Sequence, residues 1–346
     1  MNEHVWSVLL AGGVGSRFWP VSRAARPKQL LDLFGDGPML QVTLERARPL
    51  APPERTLVVT SEALAGAIRA LLPEVPAAQV LAEPLGRNTA PAIAWAALEA
   101  LKRDPEAILM VLPADHHIVD VAAFRAVAQQ ALQLAASGTI VTLGIPPTHP
   151  ETGYGYIQRG QPLTHGAGEA FMVRAFIEKP DLDTALSYLA LGGYDWNAGM
   201  FFVKASVLLD ELARYRPDLH AAMVAADDIV VAYPTLPSVS IDYAVMERSS
   251  RIAVLPGVFG WSDVGSWRSL YDHRGAAASF TQGDVLEVDG GGNVLFADGG
   301  MVATVGVSDL VVVHTRDVTF VCPRDQAQRA KDVVTALSAR DRKELL

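Results

Sequence analysis

The sequence predicts an α/β fold: a mostly parallel sheet with helices on both faces, followed by a small C-terminal β-rich domain. Three observations predict it. Apolar, β-rich runs alternate with helical stretches as far as about residue 280, the pattern of strand–helix–strand units. The runs are continuous rather than alternating in polarity, as suits strands covered by helices on both faces. Beyond residue 280 short strands recur at roughly ten-residue spacing with no helix between them, which marks a separate β unit.

In order, the first strand is read at 5–10 and runs straight into a glycine-rich stretch at 11–17. Further strands are read at 56–60, 108–112, 139–144, 171–177 and 200–203, with helices at 39–47, 62–72, 91–103 and 122–136. The late strands fall at 285–288, 294–297, 302–305, 310–314 and 318–322, separated by Asp- and Gly-rich turns. A last helix carries Ala327, Ala330, Val334 and Leu337 on one stripe. The expected domains are 1–279, carrying catalysis, and 280–346, the small β-rich unit with its terminal helix.

Length and composition bound the function. With 346 residues, the chain has room for two domains. Half of the residues are hydrophobic and 19% are charged, a composition that folds. The formal net charge is −9, which argues against nucleic acid or an anionic membrane as a partner while leaving room for a small anionic ligand held by local cations. The single cysteine, Cys322, excludes an internal disulfide and a cysteine-based zinc cluster. No apolar run approaches the ~20 residues of a membrane span, and the start lacks a basic segment of the signal-peptide type. The expected setting is cytoplasmic.

The glycine-rich stretch, LAGGVGSRFWPVSRAARPKQ at 10–29, lets backbone N–H groups approach a phosphate, and Arg17 and Lys28 add positive charge. It is neither of the two commonest nucleotide loops. The Gly-Lys-Ser/Thr of a Walker A loop is absent, and Phe18 stands where a dinucleotide fingerprint needs its third glycine. That weakens a nicotinamide oxidoreductase.

The stretch resembles the nucleotide-binding loop of the sugar-1-phosphate nucleotidylyltransferases, and more specifically that of the mannose-1-phosphate guanylyltransferases. The resemblance continues through EPLGRNTAPA at 83–92, LPADH at 112–116, ETGYGYI at 151–157, FIEKP at 176–180, WNAGMF at 196–201 and GWSDVGSW at 260–267, nearly the whole chain. Several motifs in one order are far more specific than any one of them. Ala198 departs from the serine common in the family. A fused isomerase module found in longer members is beyond this length.

The resemblance implies a Rossmann-like, mostly parallel sheet of the nucleotidyltransferase type. It implies nucleotide binding by Leu10, Ala11, Gly12, Gly13, Gly15, Ser16, Glu83, Asn88 and Thr89. It places catalytic groups at Arg17, Lys28, Asp115, Lys179 and Asp263, with Mg²⁺ on Asp115 and Asp263. The sugar phosphate falls to Gly153, Tyr154, Gly155, Glu178, Lys179, Asn197 and Gly199.

The chemistry of these residues agrees. Two carboxylates with phosphate oxygens suit Mg²⁺, although spacing alone would read either aspartate as a cap or turn. A carboxylate at Glu83 accepts the side-by-side N1–H and N2 donors of guanine. Asn88 and Thr89 could equally open the helix that Pro91 starts. Lys179 can meet a phosphate as a point charge, Glu178 can accept sugar hydroxyls, and Asn197 can bridge vicinal hydroxyls. With 6 Lys against 23 Arg, the lysines at 28 and 179 stand out as flexible single ammonium groups. His116 and His117 are read as loop packing rather than a zinc site. Trp196, Trp261 and Trp267 are read as walls and core.

The implied reaction joins GTP and α-D-mannose 1-phosphate to give GDP-mannose and pyrophosphate. A phosphate monoester has its second pKa near ~6, so the nucleophile needs no general base. The rivals are another sugar 1-phosphate (a heptose or glucose) and a catalytically silent nucleotide-sugar sensor. A homodimer formed in part through the small β unit is expected, because so small a core leaves strand edges to cover.

Overall fold

The structure is a computed structural model and describes residues 3–13, 15–163, 169–274 and 278–346; Val14 of the glycine-rich loop lies outside them. Packing divides the chain into two compact units. Unit 1 comprises Met1–Gly12, Thr43–Pro113 and Ile118–Trp261, and unit 2 comprises Gly13–Val42, Ala114–His117 and Ser262–Leu346.

Unit 1 is built on a nine-stranded sheet. Its strands are β1 (Val5–Leu10), β2 (Thr56–Ser61), β3 (Val80–Glu83), β4 (Ile108–Pro113), β5 (Ile140–Ile145), β6 (Tyr156–Leu163), β7 (Ala170–Ile177), β8 (Tyr194–Lys204) and β9 (Ile252–Pro256). The spatial order is β3-β2-β1-β4-β8-β5-β9-β7-β6. Parallel pairing joins β3, β2, β1 and β4, and again β5 with β9. The sheet is mixed because β8 inserts antiparallel between β4 and β5, and β6–β7 form an antiparallel pair. Strands β1, β2 and β4 are buried on both faces apart from their last residues, which is why they read as unbroken apolar runs.

The helix Thr89–Leu101 is buried almost all round, with Ala90, Ala92, Ala94, Ala96, Ala97 and Ala100 in the core. Small side chains let it lie close to its neighbours without an amphipathic stripe. The strand read at 200–203 is the second half of the longer β8. Its first half carries polar residues. Asp195 is fully buried there and held by a bidentate pair from Arg159 at 2.7 and 2.5 Å, so polarity concealed a core strand.

Unit 2 holds the small β-rich segment: β10 (Phe280–Gln282), β11 (Val285–Val288), β12 (Val294–Asp298), β13 (Val302–Val305), β14 (Leu310–Thr315) and β15 (Thr319–Pro323). Strand β10 is too short to stand out in the sequence. Every second strand pairs in parallel, β10 with β12 and β12 with β14, and β11 with β13. Only β15 folds back antiparallel, on β14. The chain therefore coils between two short parallel sheets. Asn293 ties successive coils, donating to Glu287 Oε1 and the Val307 carbonyl and accepting from the Leu310 amide. Gly283 is required where it stands: at φ +82°, a Cβ would come within 2.1 Å of the Ala297 carbonyl oxygen.

The core of unit 2 is not made by these strands alone. Phe18, Trp19, Val21, Leu31 and Leu33, from the segment after the glycine-rich loop, share one buried cluster with Trp267, Phe280, Phe296, Val311, Val313 and Phe320. Arg23 pairs bidentately with Asp317 at 2.7 and 2.6 Å, and Trp19 Nε1 donates to the Leu345 carbonyl. A β unit of this size has too little interior of its own, and borrowed aromatics complete it. No helix among the described residues is long and apolar enough to cross a membrane.

Candidate active site

In unit 1, β3 delivers Glu83 at its last residue, buried at 8% exposure. Tyr233 donates its hydroxyl to Glu83 Oε1 at 2.5 Å. Burial pushes the Glu83 carboxyl up and the tyrosine bond pulls it back toward the ionised form. The second oxygen faces the end of the first loop, since a Cβ on Gly12 would stand 3.5 Å from Oε2. Leu10 ends β1 half-buried. Ala11 has its backbone spent on β2: its N–H donates to the Val59 carbonyl and its carbonyl accepts the Thr60 hydroxyl. Gly12 is exposed.

Asn88 is the helix N-cap. Its Oδ1 accepts from the Thr89 N–H at 2.8 Å, and its backbone sits at φ 67°. The Thr89 hydroxyl accepts from the Ile241 N–H at 2.8 Å. Both residues are thus engaged by protein. Arg87 and Ala90 exchange further backbone bonds with Val239. The segment from Tyr233 to Ile241 is laced along the Glu83–Ala90 loop.

The sugar set also assembles within unit 1. The Asn197 N–H donates to the Gly155 carbonyl at 2.8 Å, and the Lys179 N–H to the Tyr154 carbonyl at 3.3 Å. Lys179 Nζ lies 2.8 Å from Glu178 Oε1, and the carboxylate raises the lysine. A Cβ on Gly155 would fall 2.6 Å from Glu178 Oε2 and 3.4 Å from Asn197 Cβ, so glycine there makes room for both side chains. Gly153 donates its N–H to Glu151 Oε1. The Tyr154 ring meets Trp196 and Trp261 edge-on, with centroids 5.3 and 5.2 Å apart. Ala198 is fully buried, a place where a methyl suffices.

The expected donor–acceptor bridge at Asn197 is only half available. Its Oδ1 accepts from the Thr142 hydroxyl at 3.0 Å and the Gly199 N–H at 3.1 Å, and its Nδ2 donates to Asp242 Oδ1 at 3.2 Å. Asp242 went unread in the sequence, where SIDYAVME at 240–247 shows neither glycine punctuation nor a strand end.

Unit 2 holds the remaining residues. Gly13 is exposed. Gly15, at φ 64°, opens a short turn at Ser16–Phe18 that leaves Arg17 exposed. A Cβ on Gly15 would meet Lys28 Cβ at 2.5 Å. Lys28 is buried, and its Nζ lies 2.9 Å from Asp115 Oδ2, 2.7 Å from the Asp263 carbonyl and 2.9 Å from the Val264 carbonyl. An ammonium has three N–H donors, and three protein acceptors meet it here. Lys28, expected at the triphosphate, is thus held as an internal brace between Asp115 and the two carbonyls. Val264 is bent to φ 50°, a costly conformation for a β-branched residue, beside the carbonyls that Lys28 grips. Burial pushes the Asp115 carboxyl up, but Lys28 and His116 prevail and hold it below its usual range. His117 stacks on Phe34 with centroids 3.9 Å apart, and Trp267 is core, its Nε1 donating to the Trp19 carbonyl.

A mixed sheet with these motifs at its strand ends, followed by a coiled β segment, defines a nucleotidyl transferase. Residues 6–279 match the family described as nucleotidyl transferase, and residues 283–337 match the MannoseP isomerase/GMP-like beta-helix domain. A mannose-1-phosphate guanylyltransferase of Escherichia coli strain K12 is 43% identical over 99% of this chain and 75% of its own length. One from Salmonella typhimurium strain LT2 is 43% identical over 98% and 74%. A crystal structure from Thermus thermophilus, described as mannose-1-phosphate geranyltransferase, superposes with a TM-score of 0.90 at 39% identity, covering 97% of this chain and 99% of that one. The chain belongs to the mannose-1-phosphate guanylyltransferase family.

Proposed function

We propose that the chain transfers GMP from GTP to α-D-mannose 1-phosphate. An oxygen of the sugar phosphate attacks the α-phosphorus in line. The α–β phosphoanhydride bond breaks and its electron pair leaves with pyrophosphate, giving GDP-mannose. The observation that carries this reading is Glu83, a buried carboxylate whose acceptors match the paired donors of guanine. The sugar phosphate is already largely dianionic at neutral pH, its second pKa being about 6. The residues therefore position anions rather than remove a proton. Lys179 meets the sugar phosphate, Glu178 its hydroxyls, and Arg17 the triphosphate.

Asp115 and Asp263 are the residues that would hold Mg²⁺. The donor set fits that ion: both side chains offer oxygen, and Asp115 is kept ionised. Among the described residues no group of three or more His, Cys, Asp or Glu forms, so phosphate oxygens and water would have to supply the remaining ligands. When bound, Mg²⁺ neutralises phosphate charge.

We place the enzyme in the cytoplasm as a homodimer, keep the domain boundary near residue 280, and assign the β unit to the dimer contact. Leu286, Val288 and Val305 support that contact, since they expose apolar side chains on the β11–β13 sheet. Light scattering of the intact chain reads its mass, and a monomer at micromolar concentration sinks the dimer.

The reaction is tested by pyrophosphate release across four nucleoside triphosphates and several sugar 1-phosphates. GTP with mannose 1-phosphate is expected to lead. A faster heptose or glucose 1-phosphate overturns the sugar, and silence with every pair overturns the enzyme.

A further inference from the structure

We propose that Asp242 binds the sugar: its carboxylate supplies the acceptor that Asn197 has already spent, so that Asp242 and the remaining Asn197 N–H read two adjacent hydroxyls. The inference rests on the guanylyltransferase reading and deepens its sugar site.

Hydrogen-bond valence carries the first step. A carbonyl oxygen has two lone pairs. Asn197 Oδ1 is met by the Gly199 N–H at 3.1 Å and by the Thr142 hydroxyl at 3.0 Å, nearer than that hydroxyl's other acceptor, the Met200 carbonyl at 3.2 Å. One amide N–H goes to Asp242 Oδ1. Asn197 is left with one donor and no acceptor. The atom next to that donor is a carboxylate oxygen, and a carboxylate has about four acceptor positions. Donor and acceptor side by side are what vicinal hydroxyls require, and the two residues provide them jointly.

Placement carries the second step. Asn197 packs against Gly155, which also faces Glu178. Asp242 feels the charges of Glu178 and Lys179 and takes a hydrogen bond from Ser240, and burial with Glu178 pushes it up to about 6. Bringing a second carboxylate beside Glu178 is unfavourable. The donor from Asn197 would be equally satisfied by a neutral amide. A carboxylate kept at that cost beside Asn197 and Glu178 points to a ligand.

The backbone carries the third step. Asp242 opens a π-helical turn at Asp242–Met246, a rare conformation that concentrates at functional sites. The residues just before it are fixed by the Ile241 N–H on Thr89 and the Val239 bonds to Arg87 and Ala90. Asp242 is therefore presented from an anchored segment.

The test compares binding of GDP and GDP-mannose by titration calorimetry on the intact chain and on Asp242→Asn. Asp242→Asn is expected to lose at least about tenfold in GDP-mannose affinity, the effect of a hydrogen bond to a charged group, while GDP binding changes less than about twofold. Unchanged GDP-mannose affinity overturns the proposal, and so does an equal loss for GDP, which marks a structural role. Should the variant not fold, the unmodified chain is titrated with monodeoxy mannose 1-phosphates. Two neighbouring positions should each matter about tenfold or more, and no such pair overturns the proposal. An unmodified chain that makes no GDP-mannose fails the underlying reading instead.

Discussion

Tyr233 donates its hydroxyl to Glu83 Oε1 at 2.5 Å, across 150 residues of chain, in the interior of unit 1. Burial of the carboxylate favours its neutral form, and the phenol opposes this. A Glu83 that took up a proton would lose acceptor capacity for guanine. Glu83→Gln is expected to lower kcat/KM for GTP by roughly tenfold or more. Tyr233→Phe keeps the ring against Trp95 and removes only the bond. Its GTP use should fall less at alkaline pH and more as the pH drops, because Glu83 then protonates more readily. A pH profile of kcat/KM for GTP that is unchanged in Tyr233→Phe contradicts this assignment.

Lys28 joins Asp115 to the carbonyls of Asp263 and Val264. Lys28→Ala strands these acceptors, and breaking a buried pair costs roughly 3 kcal/mol or more; the partial exposure of Asp115 reduces that. Lys28→Arg should not restore the wild type, since a planar fork cannot point three donors into one small slot. Urea denaturation of the two variants measures this. Wild-type stability in Lys28→Ala shows that the brace is idle.

Asp115→Asn and Asp263→Asn should each nearly abolish Mg²⁺-dependent pyrophosphate release, because each would remove a negative ligand from the proposed cation site. Cooperative melting should persist. Near-normal turnover in either variant removes that aspartate from the metal site.

Gly155→Ala puts a Cβ at 2.6 Å from Glu178 Oε2, and Lys179→Ala removes the ammonium held by the same carboxylate. Both should raise KM for mannose 1-phosphate by about tenfold with little change for GTP. Steady-state kinetics with each substrate varied in turn decides it; equal losses for both substrates mean that these residues are structural.

Asp242 is raised from 3.8 to about 6, first by burial and then by Glu178. The folded chain keeps this proton to higher pH than the unfolded chain. The group's contribution to stability is therefore complete below about pH 4 and is lost as pH rises through about 6. Asp242→Asn escapes that loss, being more stable than wild type near pH 8 by at most about 3 kcal/mol, with the advantage gone near pH 4. Lys179, also close, makes the gain smaller. Urea melts at the two pH values measure it, and a variant no more stable near pH 8 refutes the account.

Strands such as β1, β4 and β11 could be read directly, because their burial is uniform or their ends are marked by turns. Strand β6 could not: YIQRGQPL pairs polar residues across a hairpin and shows no apolar run. The early half of β8 was hidden for a different reason, its Asp195 being neutralised by Arg159 from another strand.

Taken alone, the sequence determined the family, the alternation of the early strands and helices and the chemical types at each motif, because apolar runs, glycine punctuation and motif order are local properties of the chain. Tertiary structure decided how those groups spend their hydrogen bonds. It showed Lys28 saturated by Asp115 and two carbonyls, Asn197 left without an acceptor, Tyr233 on Glu83, and Asp242 beside Asn197. The valence of a donor or acceptor is filled by whichever atoms folding brings within about 3 Å, and here most of those atoms lie tens to hundreds of residues away.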